Sequence, residues 1–483
     1  MPPPKILAFT YSEYGQANPT LAILYEIALA RPDAELHIAS YHPLEKRLPH
    51  LQALIDRDER HKRPQIVFHP FEGLTNMQTF DLHHGGMHTF PHPGGVRGVF
   101  EACNNLDYIF APLEGREYLE CLQQCAELME TVQPNIVIID FTFKPPIDAC
   151  RKKGQRFVVL NTTSFKECVG LDQPDPSALL WKYPATGTGY PYPLPWYLIP
   201  FNVFVILYFY FQIQTKPRFK MLDAYRKEHA GLQTGFYEVK IQGAPYLCPS
   251  FPETDFPFHI PEHVTGCGPI IFPFVPVEEA DPELAAWLEN GPTVLVNLGS
   301  HVISDKEFLR ELGMGLRIMF ASVEGVQVLW KVKLKVSGDR DVVDGILGEE
   351  IKRGRLRLVE WLKADPVSAL VHSNVVCTVH HGGANSFNEG VWAGVPHIIL
   401  PVWYDTYDFA SRVEYLGIGI YGSRTCSPRV ESGELGRALV RAVGSGEEAE
   451  RFRENAGRFR DICKKRGNGR EIGAKKMLDL AGL

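Results

Sequence analysis

Short apolar runs punctuated by Gly, Pro or polar residues recur along the chain, and between them apolar residues return every three or four positions. Residues 6–10, 35–39, 136–140 and 157–160 in the first half, and 293–298, 326–331, 357–359, 375–379 and 395–400 in the second, are predicted strands rich in Val, Ile and Leu. Continuous runs of this kind mark strands covered on both faces. Helical spacing is predicted over 19–29, with Asn18 as N-cap and Pro19 at the first helical position, over 114–131 and over 384–392. Residues 434–483 read as a charged, helical tail. Such β-α alternation predicts an α/β fold with parallel sheets.

Two stretches break the alternation. Residues 73–98 mix Gly, Pro and four histidines, His83, His84, His88 and His92, and are predicted as an irregular, mobile loop. Their spacing fits no usual metal-ligand set. Residues 183–215 carry no charge, and 201–211 are almost wholly apolar. Pro191, Pro193, Pro195 and Pro200 interrupt the first half and leave too short a clean run for a membrane span. A helix buried against a pocket, or lying shallowly in a membrane surface through 194–211, is expected.

At 483 residues the chain is too long for one ordinary core, so two large domains are expected. Its 45% hydrophobic and 22% charged content is that of a folded globular protein. A formal charge of -7 argues against nucleic acid as a partner. The ten cysteines form no C-x-x-C pair; Cys121 and Cys125 share a helix face without further ligands, and free thiols in a reducing compartment are expected. The N-terminus has no basic region followed by a long apolar run and reads as a strand, not a signal peptide, so a cytosolic location is expected. The triplets Asp56-Arg57-Asp58 and Asp339-Arg340-Asp341 follow no strongly apolar strand and are read as charged turns, and no metal site is expected.

The densest chemistry lies in residues 361–410. The strand at 375–379 stops at His380-His381-Gly382-Gly383, and a helix follows. A Gly-rich break before a helix N-terminus directs unpaired amides and the positive end of the helix dipole at one spot, which suits a phosphate. Asn385 and Ser386 add donors in the first turn, and Glu389, four residues past Asn385, projects from the same face, placed to accept from ribose hydroxyls. Loop 402–408 brings Trp403, Asp405 and Asp408 beside the same helix end. Singly, these residues read as a turn, a core aromatic and a solvated helix face; their order in one register is what carries meaning.

That order resembles the nucleotide-sugar signature of family 1 glycosyltransferases, most closely in its fungal form. Trp361, His372, His381-Gly382-Gly383, Asn385, Ser386, Glu389, Gly394-Val395-Pro396, Pro401 and Asp405 carry the match. The resemblance implies a GT-B fold: two facing Rossmann-like domains with parallel sheets and an interdomain cleft. An acceptor domain over 1–265, a linker over 266–290, a nucleotide-sugar domain over 291–465 and a last helix over 466–483 returning to the first domain are expected. It also implies that Trp361 stacks on uracil, that Gly299-Ser300, His381, Gly382, Gly383, Asn385 and Ser386 surround the diphosphate, that Glu389 meets the ribose, and that Asp405 and Thr406 meet the sugar. The family carries Gln where Thr406 stands and Pro-Gln where Leu362-Lys363-Ala364 stands.

The implied reaction is inverting, metal-independent transfer of a hexose, glucose foremost, from a UDP-sugar co-substrate to a small lipophilic acceptor, with no further cofactor. Tyr14, His88, His92 and Trp403 are the expected acceptor contacts. The family's catalytic His is replaced by Gln16, whose amide orients a hydroxyl but takes no proton. Asp140, which matches the family's supporting Asp, is the first choice of base; Glu13 and a histidine of 83–92 are the others. A phenol, with a pKa of about 10, needs less base than an aliphatic alcohol, so a phenolic or polyketide-like acceptor is expected, with transfer to carbon a variant. An inactive sugar-nucleotide-binding subunit and a UDP-sugar epimerase are the alternatives.

Overall fold

The structure is a computed structural model and describes residues 3–57, 64–233, 235, 241, 243–299, 302, 305–334 and 338–483. The apolar runs assemble into two sheets. In the first, β1 (Lys5–Phe9), β2 (Glu35–Tyr41), β3 (Ile66–Phe71), β4 (Ile136–Asp140), β5 (Phe157–Leu160), β6 (Tyr246–Cys248) and β7 (Val264–Gly266) lie in the order β3-β2-β1-β4-β5-β6-β7. In the second, β8 (Thr293–Asn297), β9 (Gln327–Lys331), β10 (Leu356–Val359), β11 (Val375–His380), β12 (His397–Ile399) and β13 (Gly419–Tyr421) lie in the order β10-β9-β8-β11-β12-β13. The central pairs are parallel, Ile6 opposite Ile136 and Val296 opposite Val379.

Alternate side chains of β1 and β4 enter separate cores. Leu7, Phe9, Val137 and Ile139 pack under the helix Gly115–Val132; Ile6, Ala8, Ile136 and Ile138 pack under the helix Tyr14–Ala30. Both faces are therefore covered, which is why these strands are uninterrupted apolar runs. The last helix, Gly469–Ala481, adds Ala474, Met477 and Ala481 to the second of those cores, on the first domain. In the 266–290 stretch, Ile270 and Phe272 still belong to the first domain, whereas the short helices Val277–Ala280 and Pro282–Leu288 pack in the second through Val277, Leu284 and Leu288. The change of domain is thus confined to residues 273–276, between two prolines.

Two local expectations are corrected. The first helix begins at Tyr14, not Pro19. Pro19 lies inside it and has no N–H for the carbonyl of Gly15 one turn back, and that carbonyl accepts from Asn385 Nδ2 of the other domain at 3.1 Å. Residues 73–98 are not an irregular loop: the helix Asn76–His84 is opened by a reciprocal capping box of Thr75 and Gln78, and the helix Gly95–Asn104 follows. The charged tail is helical, as expected, in three segments, Ser432–Val443, Glu447–Arg466 and Gly469–Ala481.

Behind the cleft the domains are joined by a buried ion pair. Arg412 lies 3.0 Å from Asp255, both with fully buried side chains, and also donates to Ser164 Oγ at 2.9 Å. Its guanidinium sits over the rings of Phe409, Phe256 and Phe387.

Candidate active site

Each sheet reverses its direction of growth beside its first strand, between β1 and β4 and between β8 and β11. Loops diverge there and leave a crevice at the strand ends. The segments following all four strands line one cavity of about 980 Å³ between the domains, at the upper end for a small-molecule site.

On the second-domain wall, the turn after β11 is shaped from beneath. His380 is buried, accepts from the Gly382 amide through Nδ1 at 3.1 Å, and meets His397 through Nε2 at 3.0 Å. Burial keeps both rings well below the ordinary imidazole range, so they are neutral props of the turn. Gly382 turns at φ 90° with Thr406 O at 2.7 Å from where a Cβ would stand, so no larger residue fits without displacing backbone. A Cβ on Gly299 would likewise stand 2.9 Å from the ring of His381, so that glycine makes room for the histidine.

The helix Ala384–Ala393 starts at this turn with no side-chain cap, leaving its first amides directed toward the cavity. His381, Gly383, Asn385, Ser386, Glu389, Trp403 and Asp405 all line it, with Gly299 from the loop after β8. Gly382 and Thr406 do not. Thr406 is buried and its hydroxyl closes the turn, accepting from the amides of Val402 at 3.1 Å and Trp403 at 3.0 Å. A short side chain that bonds its own turn cannot also reach a sugar, which corrects the expectation for Thr406. Ser300 lies outside the described residues.

Trp361 is 62% exposed at one end, with the ammonium of Lys331 4.3 Å from its ring centre. Arg47 of the first domain reaches across to Asp365 at 2.6 Å, with His50 at 3.3 Å. Among these charges Glu389 is raised to about 8, chiefly by burial and then by Asp365, while Arg47 and Lys331 pull it down. Asp405 is raised to about 7 by burial and by Glu167 and Asp408. A carboxyl that holds its proton more tightly folded than unfolded contributes stability that is lost as pH rises through the folded pKa. The ligand-free protein is therefore expected to lose stability between the ordinary Glu value of 4.5 and about 8. Glu389→Gln should flatten that loss by up to roughly 5 kcal/mol, read as Tm against pH.

On the first-domain wall stand Glu13, Tyr14 and Gln16. The Thr162 hydroxyl donates to Gln16 Oε1 at 2.6 Å, which fixes the amide so that its NH2 group is the donor left over. Burial raises the Glu13 carboxyl, and its Oε2 is buried with no hydrogen-bond partner. Asp140 is fully buried behind the wall rather than on it: Oδ1 accepts from the Thr142 amide at 2.9 Å and hydroxyl at 2.6 Å, and burial lifts it to about 7. The neighbouring Phe141 and Thr142 line the cavity, so direct contact between Asp140 and an acceptor is not supported. His92 is also removed from the cavity: it is buried in the domain junction, accepting from Tyr404 N at 2.9 Å through Nε2, and His88 does not line the wall. Phe80, Met87, Phe90, Phe110, Ile206 and Phe209 supply a deep apolar end.

Glu167 and Lys166 line the cavity without having been singled out in the sequence. Lys166 pairs with Asp408 across the domains at 2.5 Å, and Glu167 Oε2 is held by Thr163 Oγ1 at 3.1 Å and Ser164 Oγ at 2.7 Å. The Ser164-x-x-Glu167 spacing after β5 is a capping-box signal that would have placed that carboxylate at a helix start. Among the described residues no group of three His, Cys, Asp or Glu side chains is disposed to hold a metal.

Residues 350–478 match the family described as erythromycin biosynthesis protein CIII-like, C-terminal domain. The chain is 36% identical to glycosyltransferase sdnJ of Sordaria araneosa over 96% of its own length and 95% of that protein's. Against phloretin 4'-O-glucosyltransferase of Malus domestica it is 30% identical, over 38% of this chain and 39% of the relative. A UDP-glucosyltransferase from Polygonum tinctorium capable of glucosylating indoxyl superposes with a TM-score of 0.67 at 16% identity, over 100% of this chain and 99% of the other. The glycosyltransferase of kitacinnamycin gives 0.64 at 16% identity, over 99% of each.

Proposed function

The chain belongs to the family 1 UDP-glycosyltransferases of GT-B fold, and from that premise we propose that it transfers glucose from UDP-glucose to a phenolic or polyketide-like acceptor in secondary metabolism, inverting the anomeric centre. The observation that carries this reading is a single cavity with His381, Asn385, Glu389 and Asp405 on one wall and Glu13, Gln16 and an apolar end on the other.

In this reading the diphosphate sits at the start of the helix Ala384–Ala393, where amides, the helix dipole and His381 offset the charge that grows as UDP leaves. Trp361 exchanges its Lys331 contact for the uracil, Glu389 takes the ribose and Asp405 the sugar. No metal is needed for that stabilisation. Gln16 orients the acceptor hydroxyl, and Glu13 removes its proton as the acceptor oxygen bonds to the anomeric carbon and the bond to the phosphate oxygen breaks. The proton then passes from Glu13 to solvent. Burial makes Glu13 a stronger base than an ordinary carboxylate. Asp140 acts from behind, through the Thr142 segment.

An epimerase has no use for the apolar end, and a binding subunit has no use for a buried carboxyl, one oxygen of which has no hydrogen-bond partner, on the same wall as Gln16. The test is incubation with UDP-glucose and a mixed library of phenols, polyketides and sterols, read by mass. A hexose adduct on a phenolic member is expected. UDP-glucose binding with no adduct would favour the binding subunit, and conversion of a UDP-sugar without acceptor would favour the epimerase. Sugar nucleotides are cytosolic metabolites, and we place the reaction there.

A further inference from the structure

The helix Ile199–Thr215 has two faces with different surroundings. Its inner face helps to form the apolar end of the cavity through Val205, Ile206 and Phe209, and packs on the helix Gly95–Asn104, with Phe100 4.5 Å from Tyr208. Its outer face carries Phe201, Phe204, Leu207 and Phe211 at helical spacing, each more than half exposed, continued at one end by Trp196 at 81% and Tyr197. By length and composition, Trp196–Thr215 would suffice to cross a membrane. It does not run free of the protein, however, since one side is a wall of the site.

An exposed apolar stripe this long is more than a scatter of surface hydrophobes. Three features say what covers it. From residue 176 to 222 the chain has no acidic residue and four basic ones, Lys182, Lys216, Arg218 and Lys220, although its overall formal charge is -7. Lys216 and Arg218 are tied to Asp107 and Glu114, and Lys220 is exposed beside Met221, itself 71% exposed. Trp and Tyr at one end and lysine at the other are the side chains that settle at the level of lipid headgroups. Finally, the stripe lies on the opposite side of one helix from the apolar end of the cavity, so a lipophilic molecule held in a bilayer would have a short path inward.

We propose that this helix docks the protein on an anionic membrane surface, its outer face sunk to the headgroup boundary and its inner face still closing the cavity. Docking is independent of the transfer reading; only its use, the supply of a lipophilic acceptor from the membrane, rests on that reading.

The test is flotation of the full chain with vesicles of phosphatidylcholine alone and of phosphatidylcholine mixed with phosphatidylserine. The wild type is expected to float with both and more with the anionic mixture. Phe201→Glu combined with Leu207→Glu should lower the bound fraction at least about tenfold, because each carboxylate would have to enter the apolar boundary. Lys220→Glu should remove only part of the gain from phosphatidylserine. Neither pair member lines the cavity, so turnover of a water-soluble acceptor should be unchanged and serves as the folding control. A wild type that stays with the free protein at both compositions would overturn the proposal, as would equal flotation of the double variant. A wild-type dimer that the same substitutions convert to a monomer, with no vesicle binding, would assign the face to a second copy instead.

Discussion

Glu13→Gln is expected to lower kcat with a phenolic acceptor by roughly 10²- to 10⁴-fold, the range for a positioned general base, while the KM for the UDP-sugar stays the same. The amide keeps the shape and loses the ability to take a proton. Glu13 lines the cavity, one of its carboxyl oxygens is buried without a hydrogen-bond partner, and burial holds its carboxyl above the ordinary value of 4.5. The wild-type profile should therefore show an acid limb in kcat/KM: activity falls as the pH drops through that raised pKa. In Glu13→Gln the limb should vanish and residual turnover should climb toward the acceptor's own ionisation, near a pKa of about 10 for a phenol, because a phenolate needs no base. Asp140→Asn is the comparison. Behind the wall, its effect should be smaller and should leave the acid limb in place; if it instead removed the limb and Glu13→Gln did not, the base would be Asp140.

Arg412→Ala should destabilise the protein by about 3–5 kcal/mol, the cost of leaving a buried charge without its partner. Among the described residues Asp255 would retain the amides of Phe165 at 3.0 Å and Phe256 at 2.8 Å. Burial already raises its carboxyl, and the Arg412 charge is the largest influence opposing that rise. Asp255→Ala should cost a similar amount by stranding the guanidinium, and the double replacement by apolar residues should recover much of the loss. Because the pair joins two domains, denaturant unfolding of either single variant should also lose its single transition. Additive losses in the double variant would show that the two side chains stabilise independently.

Strands β1, β2, β4, β5 and β8 to β12 were legible because a short, continuous Val, Ile and Leu run bounded by turn residues is the mark of a strand in a covered sheet, whereas β3, β6, β7 and β13, toward the sheet edges, were not read from the sequence. The Gly-rich turn after β11 was legible because its residues act through their own backbone. What escaped the sequence depended on partners far along the chain. Thr406 is consumed by its own turn, and Asp140 stands one layer too deep, a depth that no local spacing records. His92 belongs to a junction made with Tyr404, 312 positions away. The Thr75 and Gln78 box was visible in principle, but the Gly and His content around it pointed to loop. Lys331, five residues past Val326 at a strand end, reads as an ordinary charged terminus until Trp361 comes to lie against it.

The carbonyl that Pro19 leaves free has a reach beyond its own helix. Asn385 has two amide hydrogens, and one of them is committed to that carbonyl. In the proposed reading, the side chain that offers its other hydrogen to an arriving diphosphate is thereby also tied to the opposite domain. On that reading, seating the donor and holding the two halves in register would fall to the same few atoms, and a misalignment of the domains would register as weak donor affinity before any step of chemistry began.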